Sequence, residues 1–124
     1  MKVAMAQTNS TVGDLRGNIE KIRKFIVDAK ALGADLVVFP ELAVVGYPPQ
    51  DLILEGEFVS KNKKALEELI STNDVDVVCV VGFVDYVGKD LFNAAAVFQK
   101  NRLISVVCKS LLPTYDVFDE DRYF

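Results

Sequence analysis

The stretch Leu36-Val37-Val38-Phe39-Pro40-Glu41-Leu42 decides the fold. An unbroken apolar run from Leu36 to Phe39 is the pattern of a strand buried on both faces. Pro40 ends the ladder, because it carries no N–H and fixes its own φ. Glu41 therefore stands directly behind the carboxyl end of a strand, where open α/β sheets form the crevice that holds ligands. A carboxylate there is a candidate for acid-base chemistry, with a solvated loop carboxylate as the plain alternative.

Upstream of this strand, Lys2 to Gln7 reads as a first strand, and the polar loop Thr8 to Asp14 leads into a helix. Ile19, Ile22, Ile26 and Ala29 recur at helical spacing, Asn18 is suited to the N-cap, and Gly33 suits the position just past the end. Strand, helix, strand implies a parallel pair joined by a right-handed crossover. Downstream, the turn Gly46-Tyr47-Pro48-Pro49 precedes a short helical piece near Asp51 to Leu54. A longer helix follows around Phe58 to Ser71, with Phe58, Leu66, Leu69 and Ile70 on its apolar side. Val75 to Phe83 predicts another buried strand, and the run from Phe83 to Asn93 turns through Gly88-Lys89-Asp90 as a hairpin. Asn93 to Gln99 and Arg102 to Cys108 are joined by Lys100-Asn101, a polar two-residue connection typical of tight hairpins. The last of these runs is apolar apart from Arg102 and Ser105, and Lys109 at its end repeats the placement of Glu41. The pattern is α/β, a mixed sheet with helices packed on it.

A chain of 124 residues fits one domain. Hydrophobic residues make up 51% and mean hydropathy is +0.23, a surplus that points to neighbours covering part of the surface. Net charge is −4 and no basic cluster or basic-aromatic stripe could follow a phosphate backbone, so nucleic acid is not an expected partner. No segment approaches the length or apolarity of a membrane span, and residues 1–7 are too short for a signal-peptide core, so a cytoplasmic location with no membrane partner is expected. Cys79 and Cys108 both lie in apolar strand-like runs, where buried inert thiols are expected rather than a disulfide. With no histidine and no ligand-like spacing, a metal site is not indicated.

Glu41 with its flanking residues, the phrase Gly46-Tyr47-Pro48-Pro49-Gln50-Asp51-Leu52, and the segment Lys109 to Phe124 together resemble the nitrilase family. More narrowly they are similar to the glutaminase part of glutamine-dependent NAD synthetases. The resemblance covers essentially residues 1–124, the N-terminal part of such a domain, and implies the first half of a four-layer α-β-β-α sandwich with one sheet face left uncovered. It implies catalytic roles for Glu41, as proton acceptor and donor, and for Lys109, as holder of the oxyanion. Tyr115 matches a position lining the substrate amide pocket, with loop packing as the alternative. Glu120, in Phe118-Asp119-Glu120-Asp121-Arg122-Tyr123-Phe124, matches an acid that stands behind the lysine and orients it, against the alternative of a simple ion pair with Arg122.

The cysteine nucleophile of that family lies beyond the lysine motif, so it is not expected among these residues. Cys108 immediately precedes Lys109 and alternation along a strand turns it to the opposite face, and Cys79 sits inside Val77-Val78-Cys79-Val80-Val81. The chain alone is therefore expected to be inactive. The resemblance implies glutamine as the partner of this part. It places deamido-NAD, ATP and magnesium on an ATP-dependent synthetase domain not contained here, since no Gly-rich phosphate loop is present. Other nitrilase-family amidases or carbamoylases remain open, as does a non-catalytic binding or dimerisation module, and the uncovered apolar face leads to an expectation of self-association.

Overall fold

The computed structural model describes residues 1–115 and 118–124; Asp116 and Val117, inside the phrase that runs from Leu112 to Glu120, lie outside the described residues. The chain forms β1 (Val3–Met5), α1 (Leu15–Ala31), β2 (Leu36–Val38), α2 (Gly56–Thr72), β3 (Val78–Val87), β4 (Asp90–Gln99) and β5 (Arg102–Cys108), with short 3₁₀ turns at Gln50–Leu54 and Glu120–Arg122. The five strands lie in one sheet in chain order, β1-β2-β3-β4-β5. β1, β2 and β3 are parallel, and β4 and β5 add antiparallel ladders with a bulge between Val97 and Phe98. This is the mixed α/β sheet read from the sequence, and the Lys100-Asn101 hairpin falls where its two polar residues placed it.

Both helices pack on the same face. Ile19, Ile22, Ile26 and Ala29 of α1 and Leu66, Leu69 and Ile70 of α2 meet Val37, Cys79, Val81, Phe83, Ala94, Ala96 and Phe98 in one core. Each of the isoleucine, leucine, valine and phenylalanine side chains contributes about 1.5–3 kcal/mol when fully buried, and Ile22, Ile26 and Leu69 are essentially inaccessible. Among the described residues, no helix is placed over the opposite face of β1 and β5, which leaves apolar side chains open, with Met5 81% and Val107 58% exposed.

Three expectations are corrected. Asn18 is not the N-cap of α1; Asp14 is, its carboxylate accepting the Gly17 N–H, because the helix begins one residue after it. Asn18 is instead buried, donating to the carbonyls of Thr11 and Val44 and accepting from the Thr11 N–H. Phe58 is only partly buried and Val59 takes the inward position in the first turn of α2. Cys108 is exposed rather than buried, because β5 is the last strand of the sheet and every residue in it remains open.

Candidate active site

The strand directions alone bring three residues to one edge. β2 and β5 both run parallel to β3, so Glu41 and Lys109, which follow their carboxyl ends, emerge on the same side. β4 runs the other way, so its early residue Asn93 sits there as well. The Lys109 N–H donates to the Asn93 carbonyl at 2.8 Å, extending the β4–β5 ladder one rung past Ala94 and Cys108.

The turn that presents Glu41 is unusually well anchored. Leu42, Ala43, Val44 and Val45 are all buried, so their backbone polar groups need protein partners. The carbonyls of Ala43, Val44 and Val45 accept from Ser10 Oγ, Asn18 Nδ2 and the Gly13 N–H. The Val44 N–H donates to the Gly82 carbonyl, and the lack of a side chain at Gly82 lets the backbone of Pro40 to Leu42 lie directly on β3. Leu42 itself adopts φ +49°, a left-handed conformation held by this packing. Beneath the turn, Leu42, Val45, Ile53, Val59 and Val84 form a second apolar cluster onto which Tyr123 and Phe124 fold.

At the edge, Lys109 Nζ lies 2.7 Å from Glu41 Oε1 and 2.9 and 3.2 Å from the two Glu120 oxygens. Asn93 Nδ2 donates to the same Glu41 oxygen. Glu120, at 7% side-chain exposure, also accepts from the Tyr47 hydroxyl at 3.4 Å. One ammonium thus bridges an outer and an inner carboxylate, and a phenol closes the inner side. Burial is the largest influence on Lys109 and pulls its pKa down, but the hydrogen bonds to Glu41 and Glu120 and their negative charges outweigh it, so the pKa stands above the ordinary 10.5. Burial, then the charges of Glu120 and Glu41, push the Tyr47 hydroxyl above 10.0, keeping it a donor at neutral pH. Beside the Glu41–Lys109 pair lies an open cleft of about 320 Å³, lined by Phe39, Val80, Gly82, Ala95 and Val107 among others. That volume is within the range of small-molecule sites.

Glu41, Lys109 and Glu120, chosen from the sequence, meet in one cluster. Arg122 pairs with Asp51 at 3.6 Å rather than with Glu120. Tyr115 does not join the cluster; it is 69% exposed and its ring stacks edge-on against Phe118, which in turn contacts Tyr47. Tyr47, Gly82 and Asn93 were not assigned roles from the sequence. The signals were a lone glycine and a lone amide inside otherwise apolar strands, each a mark of close approach or a buried polar partner. Of the thiols, Cys79 is buried and its pKa is pushed up to about 12 by desolvation. Cys108 pairs across the ladder with Ala94, whose side chain belongs to the helix-covered core, so it lies on the sheet face opposite Asn93.

No helix of the described residues is long and apolar enough to cross a membrane. Comparison with known proteins gives concordant results. Glutamine-dependent NAD(+) synthetase of Thermotoga maritima is 42% identical over 125 residues, which cover 100% of this chain and 22% of that protein. The chain thus spans less than a quarter of the length of the curated relatives it matches. The structure of glutamine-dependent NAD+ synthetase from Acinetobacter baumannii, a complex with ADP, superposes with a TM-score of 0.92 at 37% identity, over 98% of this chain and 23% of that one. An amidase from Nesterenkonia sp. shares the fold, with a TM-score of 0.77 at 20% identity over 91% of this chain and 44% of that one. The pattern shared by carbon-nitrogen hydrolases runs from residue 2 to residue 123, through both strand ends that meet at this edge, and the chain belongs to that family.

Proposed function

We propose that this chain supplies the glutamate and lysine of a glutamine-hydrolysing site in a glutamine-dependent NAD synthetase. The carrying observation is the 2.7 Å approach of Glu41 and Lys109 from two separate strand ends. Identities of 42% and 37% to the synthetases of Thermotoga maritima and Acinetobacter baumannii, against 20% to the amidase, favour that substrate over a general amide, while a synthetase from Cytophaga hutchinsonii at 21% identity supports the fold alone. Residues 1–124 are then the first part of the glutaminase domain. The remainder of that domain covers the helix-free apolar face, and the chain taken alone self-associates through it.

Amide hydrolysis needs a nucleophile, a proton carrier and a group that stabilises the oxyanion. In this reading a thiol from beyond this chain loses its proton to Glu41 and attacks the glutamine side-chain carbonyl, and the Lys109 ammonium stabilises the oxygen that becomes negative. Glu41 returns the proton to the departing nitrogen, releasing ammonia and leaving a glutamyl thioester. Glu41 then takes a proton from water, whose oxygen attacks the thioester, and glutamate and the thiol are released. Glu120 keeps Lys109 charged and aimed. Neither thiol of the chain suits the nucleophile, since Cys79 is inaccessible and the Cys108 side chain, although its residue borders the cleft, leaves the strand on the face opposite Asn93 and Lys109. ATP and magnesium do not fit these residues, because no phosphate loop occurs in the sequence and no group of three acids, cysteines or histidines gathers among the described residues. They belong to the synthetase part.

The test is ammonia release from glutamine by the intact protein that carries this chain. Glu41→Gln and Lys109→Met are each expected to lower turnover by about 10³-fold or more, and the 124-residue chain alone to release none. Normal turnover in Glu41→Gln would overturn the reading.

A further inference from the structure

Among the described residues, Asn93 is the one buried asparagine that touches the Glu41–Lys109 pair. It lies in β4 opposite Val84, 5% exposed, in a strand whose neighbours Ala94, Ala95 and Ala96 are apolar. Its two polar ends do different things: the backbone carbonyl receives the Lys109 N–H and so fixes where the lysine leaves the sheet, while the side-chain amide donates to Glu41. Lys109 Nζ and Asn93 Nδ2 both reach the same oxygen, Oε1. Among the described residues, Oε2 accepts no hydrogen bond.

We propose that Asn93 is a positioning residue that makes Glu41 a one-sided base, with Oε1 held by two donors and Oε2 left as the oxygen that carries the proton. A glutamate carboxylate turns easily about its last torsion, which is broad and two-fold, so without a fixed partner either oxygen faces the cleft. Lysine alone does not resolve this, because an ammonium on a flexible stem follows whichever oxygen is offered. A planar amide anchored in a strand does, because it approaches from one fixed direction. Resting on the amide-hydrolysis reading above, the proton leaves sulfur for Oε2, passes from Oε2 to the departing nitrogen, and in the second half passes from water to Oε2 and back to sulfur. Oε1 keeps its two hydrogen bonds throughout. Asn93 never touches the substrate; it acts through Glu41.

The test uses the intact protein with Asn93→Leu, near in shape but without the donor, and Asn93→Ala. Turnover is expressed per active thiol, counted as the thiol that glutamine protects from iodoacetamide, so that exposed Cys108 and any misfolded fraction drop out of the comparison. Loss of one hydrogen bond to a charged group is expected to lower kcat by about 10- to 100-fold, with KM for glutamine within about twofold of its original value, the split of a group that matters only during proton transfer. A purely structural role would reduce the titratable thiol and leave turnover per thiol intact. Turnover per thiol within about twofold of the parent, in both variants, would overturn the assignment to Asn93 while Glu41→Gln still abolished activity. Full turnover in Glu41→Gln would instead defeat the underlying reading.

Discussion

Gly82→Ala tests how the glutamate is held. The φ of Gly82 is not in the left-handed region, so alanine meets no backbone strain and the effect is steric alone. A Cβ at this position would lie 2.5 Å from the Leu42 nitrogen, 2.7 Å from the Pro40 oxygen and 3.0 Å from the Glu41 carbonyl carbon. All three are backbone atoms, so no side chain can swing away. Restoring ordinary contact requires the Pro40–Leu42 turn to lift from β3 by about 0.9 Å. If that motion is passed to the side chain, the 2.7 Å Glu41–Lys109 contact opens to about 3.6 Å, beyond a hydrogen bond. The lift also strains the Val44 N–H bond to the Gly82 carbonyl. Overpacking of this kind costs about 1–3 kcal/mol of stability, and a displacement near one ångström at a reacting group costs roughly 100-fold in rate. Thermal unfolding and glutamine turnover of the intact protein read the two effects separately. Gly56→Ala, where an added Cβ meets nothing within 4 Å, is the control and should leave turnover unchanged and stability unchanged or raised by up to about 1 kcal/mol. Parental turnover in Gly82→Ala would refute the claim that β3 fixes the position of Glu41.

Glu120→Gln removes one of the two charges on Lys109 and is expected to lower stability by about 2 kcal/mol, read as a lower unfolding midpoint. The raised Lys109 pKa contributes stability that is complete below the ordinary lysine value of 10.5 and is lost as pH rises through the higher folded-state value. With one carboxylate gone that folded-state value falls, so in unfolding curves measured from pH 9 upward the variant should begin its alkaline loss earlier; an unchanged alkaline limb would show that Glu120 does not hold the lysine. The two thiols should also part company. Cys108 is exposed and should react with an aromatic disulfide reagent in the folded chain, whereas Cys79, buried with its pKa near 12, should react only after unfolding. Equal rates would contradict the sheet described above.

The parts legible in the sequence were those set by local physics. A proline after an apolar run marked the end of β2, isoleucines at helical spacing marked the inner side of α1, and two polar residues between apolar runs marked the β4–β5 hairpin. The placement of Glu41 and Lys109 followed from the same local rules applied twice, and their meeting needed only the parallel sense of β2 and β5. What escaped depends on contacts across the sheet. Gly82 matters because the Glu41 turn crosses above it, and Asn93 because Glu41 comes within reach of its amide. Nothing within a few residues of either reports this. Asn18 misled because Asp14, four residues earlier, is an equally good cap, and the asparagine side chain was taken up by the loop it anchors. Cys108 misled because an apolar run reads the same in a central strand and at a sheet edge.

Whether Glu41 and Lys109 work as one catalytic unit is tested most directly by a double-mutant cycle on glutamine turnover in the intact protein, with Glu41→Gln, Lys109→Met and the pair. Groups that serve the same transition state are strongly non-additive, so the double variant should be no slower than the worse single one. Losses that multiply, each substitution costing as much in the presence of the other as alone, would show two residues that stand side by side without sharing a reaction.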